Sequence, residues 1–330
     1  MMKKLTFCTI LLVFLCNTGF TQFKKYDFET GKMGSPFKII VSTADSTGLA
    51  KVVGEAFSYA EDLENQLSDY RATSDVSIVN KLAGTGHFYA IKKQFKAILI
   101  ESLEAKNLSQ GRLNVFAGKL VQEWRKSRKN KILPDSLMLA RMSKDIAGDC
   151  IEFSKDSSSI RLINSTCQID FGSIGKGFVA QEVVNFLVKS GFPQVLVDAG
   201  GKIVCTQVNE NGEKWKVGLE LPQSKELADK LILVSNSAIA SSGNTYQTLS
   251  LNGKVYSHVL DPTTGWALEH SKSATVLSDD GARADWIATA ATIVPIELLK
   301  EIIGKFKDLK ILVWQKNAGK LEINFNNNLL

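Results

Sequence analysis

The sequence predicts a protein of the α+β class that folds as a single mixed domain. Strand-like and helical segments alternate irregularly along the chain, without the regular order that a parallel βαβ fold requires. No repeat, low-complexity segment or linker divides the chain after its N-terminus. Of the 330 residues, 44% are hydrophobic, which is enough for one large core.

The N-terminus has the layout of a secretory signal peptide. Lys3 and Lys4 precede an apolar stretch from Leu5 to Cys16 that is shorter than the ~20 residues of a membrane span. We therefore expect residues 1–21 to be a signal peptide, residues 22–330 to form the domain, and the protein to be exported to the periplasm. An uncleaved or lipid-modified N-terminus, attached to the outer side of the cytoplasmic membrane, remains an alternative.

Charge and cysteine content argue against a nucleic-acid-binding protein and against a zinc site. The net charge is +6, but the basic residues are scattered, and the one basic run, at 126–131, contains no aromatic residues. A solvated face explains this run better than nucleic-acid binding does. Cys150, Cys167 and Cys205 show no zinc-like spacing, and the sequence leaves open whether they form one disulfide or remain buried thiols.

Alternation and helical periodicity predict the elements in order. The first half is predicted to contain a strand over 33–43, a helix through Ala56, Ala60, Leu63 and Leu67, a polar loop over 69–80, a helix over 91–108 ending near Gly111, and two short strands within 149–170. The second half is predicted to contain a helix from the turn at 172–177 to Gly191, strands at 195–197, 215–221, 238–243, 255–260 and 273–277, helices at 284–294 and 296–306, and strands at 309–313 and 321–325.

The turn at 170–177 is a candidate anion site. Its glycines let backbone N–H groups approach a phosphate at the start of a helix, and Lys176 adds a full positive charge. The spacing matches neither GxxxxGK[ST] nor GxGxxG. Alone the signal is weak, because an ordinary strand-to-helix turn has the same composition.

Two further candidates could complete a catalytic site. Asp285 and Thr289 lie four residues apart on a predicted helix, so their oxygens share one face and suit Mg²⁺. The alternative is an exposed polar pair, but their neighbours are apolar. His258, in a strand end, is the best placed of the three histidines to act as a base, although a lone histidine is more often structural.

Seven segments in this order resemble the ApbE family of FAD:protein FMN transferases. They lie between Met33 and Thr289, at 33–35, 67–80, 170–177, 197–201, 239–243, 258–265 and 284–289. The resemblance implies antiparallel-rich sheets with flanking helices, a T-fold-like architecture, and a nucleotide site in strand-end loops. It implies Mg²⁺ ligands at Gly175, Asp285 and Thr289. It implies FAD contacts at Met33, Tyr70, Asn114, Gly172, Lys176, Asp198, Ser242, Gly243, His258 and Val259.

The same resemblance implies the reaction. FAD is the substrate, FMN moves to a Thr or Ser hydroxyl of an exported acceptor flavoprotein, and AMP leaves. His258 or Asp261 would take the proton of the hydroxyl, and Asp285 would hold the metal ion. Ser173, Asn114 and Asn244 depart from the family pattern. A Mg²⁺-dependent FAD pyrophosphatase and a non-catalytic flavin-binding protein are therefore kept as alternatives.

Overall fold

The computed structural model describes residues 23–208, 212–218, 231–243, 248–269, 272–307, 309–317 and 320–326. Three sequence predictions fall outside these residues. They are the signal peptide at 1–21, the part of the 215–221 strand beyond residue 218, and the departure at Asn244.

The centre of the fold is an eight-stranded sheet in which every neighbouring pair is antiparallel. Its strands, in spatial order, are β1 (Lys24–Lys32), β2 (Ser35–Thr43), β6 (Val195–Ala199), β7 (Lys202–Cys205), β10 (Ser237–Gly243), β15 (Lys272–Ser278), β16 (Lys310–Asn317) and β17 (Lys320–Asn326). The prediction of an antiparallel-rich α+β fold is confirmed.

Helices cover one face of this sheet. The described residues form α1 (Leu49–Leu67), α2 (Asp75–Lys81), α3 (Lys93–Leu108), α4 (Gly118–Asn130), α5 (Ser136–Ala147), α6 (Gly175–Lys189), α7 (Gly281–Ile293) and α8 (Ile296–Ile303). Helices α6 and α7 pack on the central strands and on each other. Strand β2 shows why this face is buried, since Phe37, Ile39 and Val41 alternate toward the helices and are fully buried.

A hairpin covers part of the opposite face. It consists of β8 (Trp215–Gly218) and β9 (Leu231–Val234), and it packs Trp215 and Val217 against Leu196 and Leu312 of the sheet. The central strands are therefore buried on both sides, which explains the continuous apolar run at 195–197.

Three small sheets complete the described fold. They comprise β3 (Tyr89–Ala90), β4 (Ile151–Phe153) and β5 (Ser159–Leu162), then β11 (Leu249–Leu251) with β12 (Lys254–Tyr256), and β13 (Leu260–Asp261) with β14 (Trp266–Ala267). Cys150 and Cys167 form a disulfide beside the first of these, with their Cα atoms 5.5 Å apart. Cys205 is a buried free thiol, and burial raises its pKa to about 11.

The structure corrects several predicted elements. The polar loop predicted over 69–80 is wrong from Asp75 onward, where α2 begins; Ser74 caps this helix by accepting the Ser77 N–H at 3.0 Å. Strand β1 was not predicted; its alternation is short, with only the half-buried Tyr26 and Phe28 facing the core. The strand predicted over 255–260 is divided between β12 and β13.

No helix within the described part of the chain combines the length and apolar character needed to cross a bilayer.

Candidate active site

The glycine turn and α7 meet at a contact between backbones. The Gly177 N–H donates to Asp285 Oδ2 at 2.9 Å, and the Asp285 side chain is almost fully buried. A Cβ atom at Gly177 would lie 2.8 Å from Asp285 Cβ and closer still to the Gly281 carbonyl oxygen. Only glycine therefore allows α6 and α7 to approach closely enough for this hydrogen bond.

On the other side of Asp285, strands β7 and β10 supply Lys202 and the Ser242 hydroxyl, and α7 itself supplies the Thr289 hydroxyl. Lys202 Nζ lies 3.1 Å from Asp285 Oδ1 and also donates to the Ser241 carbonyl. Thr289 Oγ1 is 3.2 Å from the carbonyl oxygen of Asp285 and 3.3 Å from Ser242 Oγ. The structure thus brings Asp285, Thr289, Ser242 and the glycine turn together, as the sequence analysis expected.

A second lysine lies beside this cluster. The Nζ atom of Lys176 is 3.3 Å from the position that a Cβ would take at Gly200, whose φ is +63°. Asp198 accepts the Gly201 N–H at 2.7 Å. Burial lowers the pKa of Lys176, while the Asp285 and Asp198 carboxylates raise it. The positive charge of Lys176 beside the Gly200–Gly201 turn suits an anionic phosphate.

Arg125 ties the glycine turn to the loop that carries Tyr70. Its guanidinium pairs with Asp69 and, at 3.3 Å, with Asp170, and it lies 4.1 Å from the centre of the Tyr70 ring. Asp170 in turn accepts the Gly172 N–H at 2.7 Å. The Tyr70 ring is 79% exposed, so a guanidinium holds it as an open aromatic surface.

The turn at Met33 is anchored to α1. Met33 has a φ of +51°, and its N–H donates to Glu64 at 3.0 Å; Glu64 also pairs with Arg71 at 2.9 Å. The Met33 methyl group lies 3.8 Å from the position of a Cβ at Gly175. Met33 and the glycine turn are therefore neighbours.

His258 has the character of a neutral base. Its Nδ1 atom is buried and has no hydrogen-bond partner among the described residues. Burial and the positive charges of Arg128 and Lys202 lower its pKa. The imidazole is therefore uncharged at neutral pH.

Arg128 offers a hydrogen-bond donor that no described protein group uses. Its Nη1 atom is also buried and without a partner in the described part of the chain, and burial lowers its pKa. Trp124, one turn earlier on α4, packs 5.5 Å from Tyr256, two residues before His258. Arg128 is also within electrostatic range of His258, whose pKa its charge helps to lower.

The other predicted residues are engaged differently. Asp261 is paired with Arg112 and accepts both the N–H, at 2.9 Å, and the hydroxyl, at 2.7 Å, of Thr263. The Asn114 side chain binds the Phe116 N–H and the Ile146 carbonyl, each at 3.0 Å. Both side chains have their hydrogen-bonding groups occupied by protein.

Two predicted FAD contacts are backbone or small-residue positions. Val259 donates its N–H to Ser257 Oγ at 3.0 Å and accepts from Leu268 at 2.9 Å. A Cβ at Gly243 would lie 2.6 Å from Ser273 Oγ, so this position at the end of β10 has no room for a side chain. Their roles toward FAD stay predictions.

A cavity of about 700 Å³ lies beside the Asp261 loop, between α3 and α5. Its lining includes Asn107, Asn114, Ser143, Pro262 and Thr263. It does not open at the Lys202–Asp285 cluster, so we assign the chemistry to the cluster rather than to this cavity.

Sequence reasoning missed three side chains of this region: Lys202, Arg125 and Arg128. Lys202 directly follows the Gly200–Gly201 turn, which was a signal that could have been used. The two arginines lie next to or within the basic run, which was interpreted as a solvated face. That interpretation fits Lys126, whose side chain is 65% exposed, but not Arg128.

A divalent cation fits the oxygen donors in this cluster. A buried carboxylate, a hydroxyl and a backbone carbonyl are ligand types that Mg²⁺ accepts, and Mg²⁺ usually keeps positions for water and phosphate. Within the described residues, no group of three or more His, Cys, Asp or Glu side chains forms a metal site. Any ion held here would therefore rely on Asp285 and Thr289, together with oxygens of its ligand, and the Gly175 carbonyl stays a predicted third ligand.

Taken together, the antiparallel α+β fold and this cluster define a protein that can hold an anionic, phosphate-containing ligand beside a neutral histidine. Residues 33–313 match the model of the ApbE family. The chain belongs to this family, and the recognition made from the seven sequence segments is confirmed.

Relatives and solved structures agree with this assignment. An FAD:protein FMN transferase of Chlamydia muridarum is 24% identical over 321 residues, covering 95% of this chain and 98% of the relative. An enzyme of the same name from Vibrio cholerae is 28% identical over 240 residues, covering 71% and 70%. The prediction of a transferase agrees with these names.

The structural likeness concerns the fold. The flavin transferase ApbE from Vibrio cholerae superposes with a TM-score of 0.81 at 22% identity, covering 92% of this chain and 98% of that one. The apo form of the Pseudomonas stutzeri flavinyl transferase ApbE gives 0.81 at 21% identity, covering 93% and 96%.

Proposed function

We propose that the protein is a Mg²⁺-dependent FAD:protein FMN transferase, which moves FMN from FAD to a Thr or Ser hydroxyl of an exported acceptor protein and releases AMP. Membership of the ApbE family supports the reaction class. The observation that carries the proposal is the hydrogen bond between the Gly177 N–H and Asp285, because it joins the anion-binding turn to the acidic helix face.

The residues around this contact suit each part of the reaction. The N-terminus of α6, Lys176 and Arg128 offer donors and positive charge to the two phosphates of FAD. Tyr70 offers an exposed ring on which a flat aromatic group can stack. When bound at Asp285 and Thr289, Mg²⁺ would neutralise charge on the phosphates and on the departing AMP.

His258 is the better of the two predicted bases. In the proposed step the acceptor oxygen bonds to the phosphorus of FMN, the bond from that phosphorus to the oxygen of AMP breaks, and the hydroxyl proton passes to a base. A neutral imidazole can accept it, because the lowered pKa of His258 keeps the ring deprotonated. The Asp261 carboxylate is already satisfied by Arg112 and Thr263.

Export of the protein is part of the proposal. The N-terminal pattern supports it, and so does the Cys150–Cys167 disulfide, since disulfides persist mainly in oxidising compartments. The acceptor would then be an exported flavoprotein, and attachment to the membrane would depend on the fate of residues 1–21.

A labelling assay tests the proposal. The protein, FAD and Mg²⁺ are incubated with an exported candidate acceptor, and covalent flavin on the acceptor is measured by intact mass. We expect Asp285→Asn to abolish labelling. Asp279→Asn is the matched control, because Asp279 is a 69%-exposed carboxylate next to the same helix.

The assay also separates the alternatives. AMP and free FMN formed at the same rate with and without acceptor would indicate a pyrophosphatase. FAD that binds but stays intact in the presence of Mg²⁺ would indicate a flavin-binding protein. Either result would overturn the proposed transfer.

A further inference from the structure

Lys202 has no part in the reaction described above, yet it forms an ion pair with Asp285, the proposed metal ligand. It is the first residue of β7 and pairs with Ala240 of β10. This register places its Nζ atom against the Ser241 carbonyl and 3.1 Å from Asp285 Oδ1. The two side chains are only 14% and 2% exposed, so the pair is shielded from water.

We propose that the Lys202 ammonium takes the place of a metal ion beside Asp285 Oδ1 when the site is metal-free. A divalent ion would use the same oxygen, so Lys202 weakens the binding of that ion. This inference rests on the proposed metal-assisted function. It concerns how the site changes between its metal-free and metal-bound forms.

The partners of Asp285 support this arrangement. Its Oδ2 atom accepts the Gly177 N–H, and its Oδ1 atom faces Lys202. A buried carboxylate without a counter-charge is strongly unfavourable, so Lys202 compensates it when no metal ion is bound. A divalent ion on Oδ1 would lie within a few ångströms of the ammonium, and like charges repel strongly at reduced dielectric constant.

The oxygen atoms around Lys202 Nζ are of the types that ligate a small cation. A carboxylate oxygen and a backbone carbonyl oxygen are typical Mg²⁺ ligands, and both already contact Nζ. The lysine is a compact charge on a flexible stem. It can therefore move away when an ion binds, at the cost of its two contacts.

Lys176 provides a matched control. It is a second lysine within electrostatic range of Asp285 and is half-buried, but its Nζ atom lies beside Gly200. Lys176→Gln removes the same charge from the same region and leaves the contact between Lys202 and Asp285 in place.

The test is a titration with Mn²⁺, as a spectroscopic substitute for Mg²⁺, followed by electron paramagnetic resonance in the absence of FAD and acceptor. We expect Lys202→Gln to lower the apparent Kd for Mn²⁺ at least tenfold and Lys176→Gln to lower it less than threefold. Asp285→Asn should abolish binding at this site. Unchanged or weaker binding in Lys202→Gln would overturn the inference.

Stability gives a second readout. Without a divalent ion, Lys202→Gln should melt at a lower temperature than the wild type, and Mg²⁺ should raise its Tm by more than it raises that of the wild type. If the variant folds only with Mg²⁺, the inference is supported. If it fails to fold even with Mg²⁺, the inference is wrong, because a metal ion should be able to replace the lysine charge.

These measurements contain neither FAD nor acceptor, so they are independent of flavin transfer. A negative labelling assay together with tighter Mn²⁺ binding in Lys202→Gln would refute the proposed function and leave the role of Lys202 standing. Mn²⁺ binding that survives Asp285→Asn would refute the placement of the ion itself.

Discussion

Replacing Gly177 with alanine tests the contact on which the site is built. Gly177 lies in the first turn of α6, where its backbone touches Gly281 and Asp285 of α7. The added Cβ would lie 2.8 Å from Asp285 Cβ. Since carbon atoms pack at about 3.5–4.0 Å and the Gly281 carbonyl oxygen would lie closer still, α7 would have to retreat by at least roughly 1 Å.

The energetic cost has two parts. Overpacking of this kind costs about 1–3 kcal/mol. A weakened hydrogen bond from the Gly177 N–H to a buried carboxylate costs about 1.5–3 kcal/mol more. Alanine recovers up to about 1 kcal/mol of helix propensity. We therefore expect Gly177→Ala to lower the free energy of unfolding by about 2–5 kcal/mol and to displace Asp285 and Thr289 from the turn.

Urea denaturation followed by tryptophan fluorescence measures this loss, since Trp286 lies on α7. Gly54→Ala is the control. Gly54 is an exposed glycine within α1 with no atom near the added Cβ, so this variant should gain about 0.5–1 kcal/mol. If Gly177→Ala unfolds within about 0.5 kcal/mol of the wild type, the proposed close approach of α6 and α7 is incorrect.

Three further predictions concern titration and the disulfide. Because the pKa of His258 is lowered, its neutral form persists to below pH 6.5. The transfer rate should thus fall only at more acidic pH, and His258→Gln should reduce it by about 10²–10⁴ and remove this dependence; an unchanged rate would exclude His258 as the base. Burial and the neighbouring Asp69 carboxylate raise the pKa of Asp170 to about 6. The folded state then holds this proton more tightly than the unfolded state, so the free energy of unfolding should fall as the pH rises from about 4 to 6. Asp170→Asn should lack this fall, and equal pH dependences of the unfolding free energy in the two proteins would contradict the prediction. Cys150→Ser removes the disulfide that closes a loop of 17 residues, and it should lower the free energy of unfolding by about 3 kcal/mol. A reducing agent should destabilise the wild type by the same amount and leave the variant unchanged.

The sequence predicted the parts of the site that depend on local periodicity. Asp285 and Thr289 share a helix face because they are four residues apart, and the glycine turn is continuous in sequence. Lys202 could not be placed in the same way. It reaches Asp285 only because β7 pairs with β10, and that register depends on contacts between distant segments.

Charge patterns were misleading where partners were remote. Arg125 pairs with Asp69, 56 residues away, and with Asp170, 45 residues away, so nothing local marked it, and the adjoining basic run at 126–131 was interpreted as a solvated face. The disulfide was also undecided, because the distance between Cys150 and Cys167 is set by the packing around β4 and not by their spacing. Strand β1 was missed because only two apolar residues, Tyr26 and Phe28, alternate along it, and both are only half-buried.

Helix α1 links two loops that are far apart in sequence. Glu64 holds the backbone of Met33 and the guanidinium of Arg71, while Glu61 pairs with Arg71 and Lys32. Glu61 and Glu64 of α1 therefore hold the turn at Met33 and the segment next to Tyr70 in fixed positions relative to each other. A substitution of Glu61 or Glu64 should disturb both segments at once, so a loss on one side is expected to be offset only by a second change on the other.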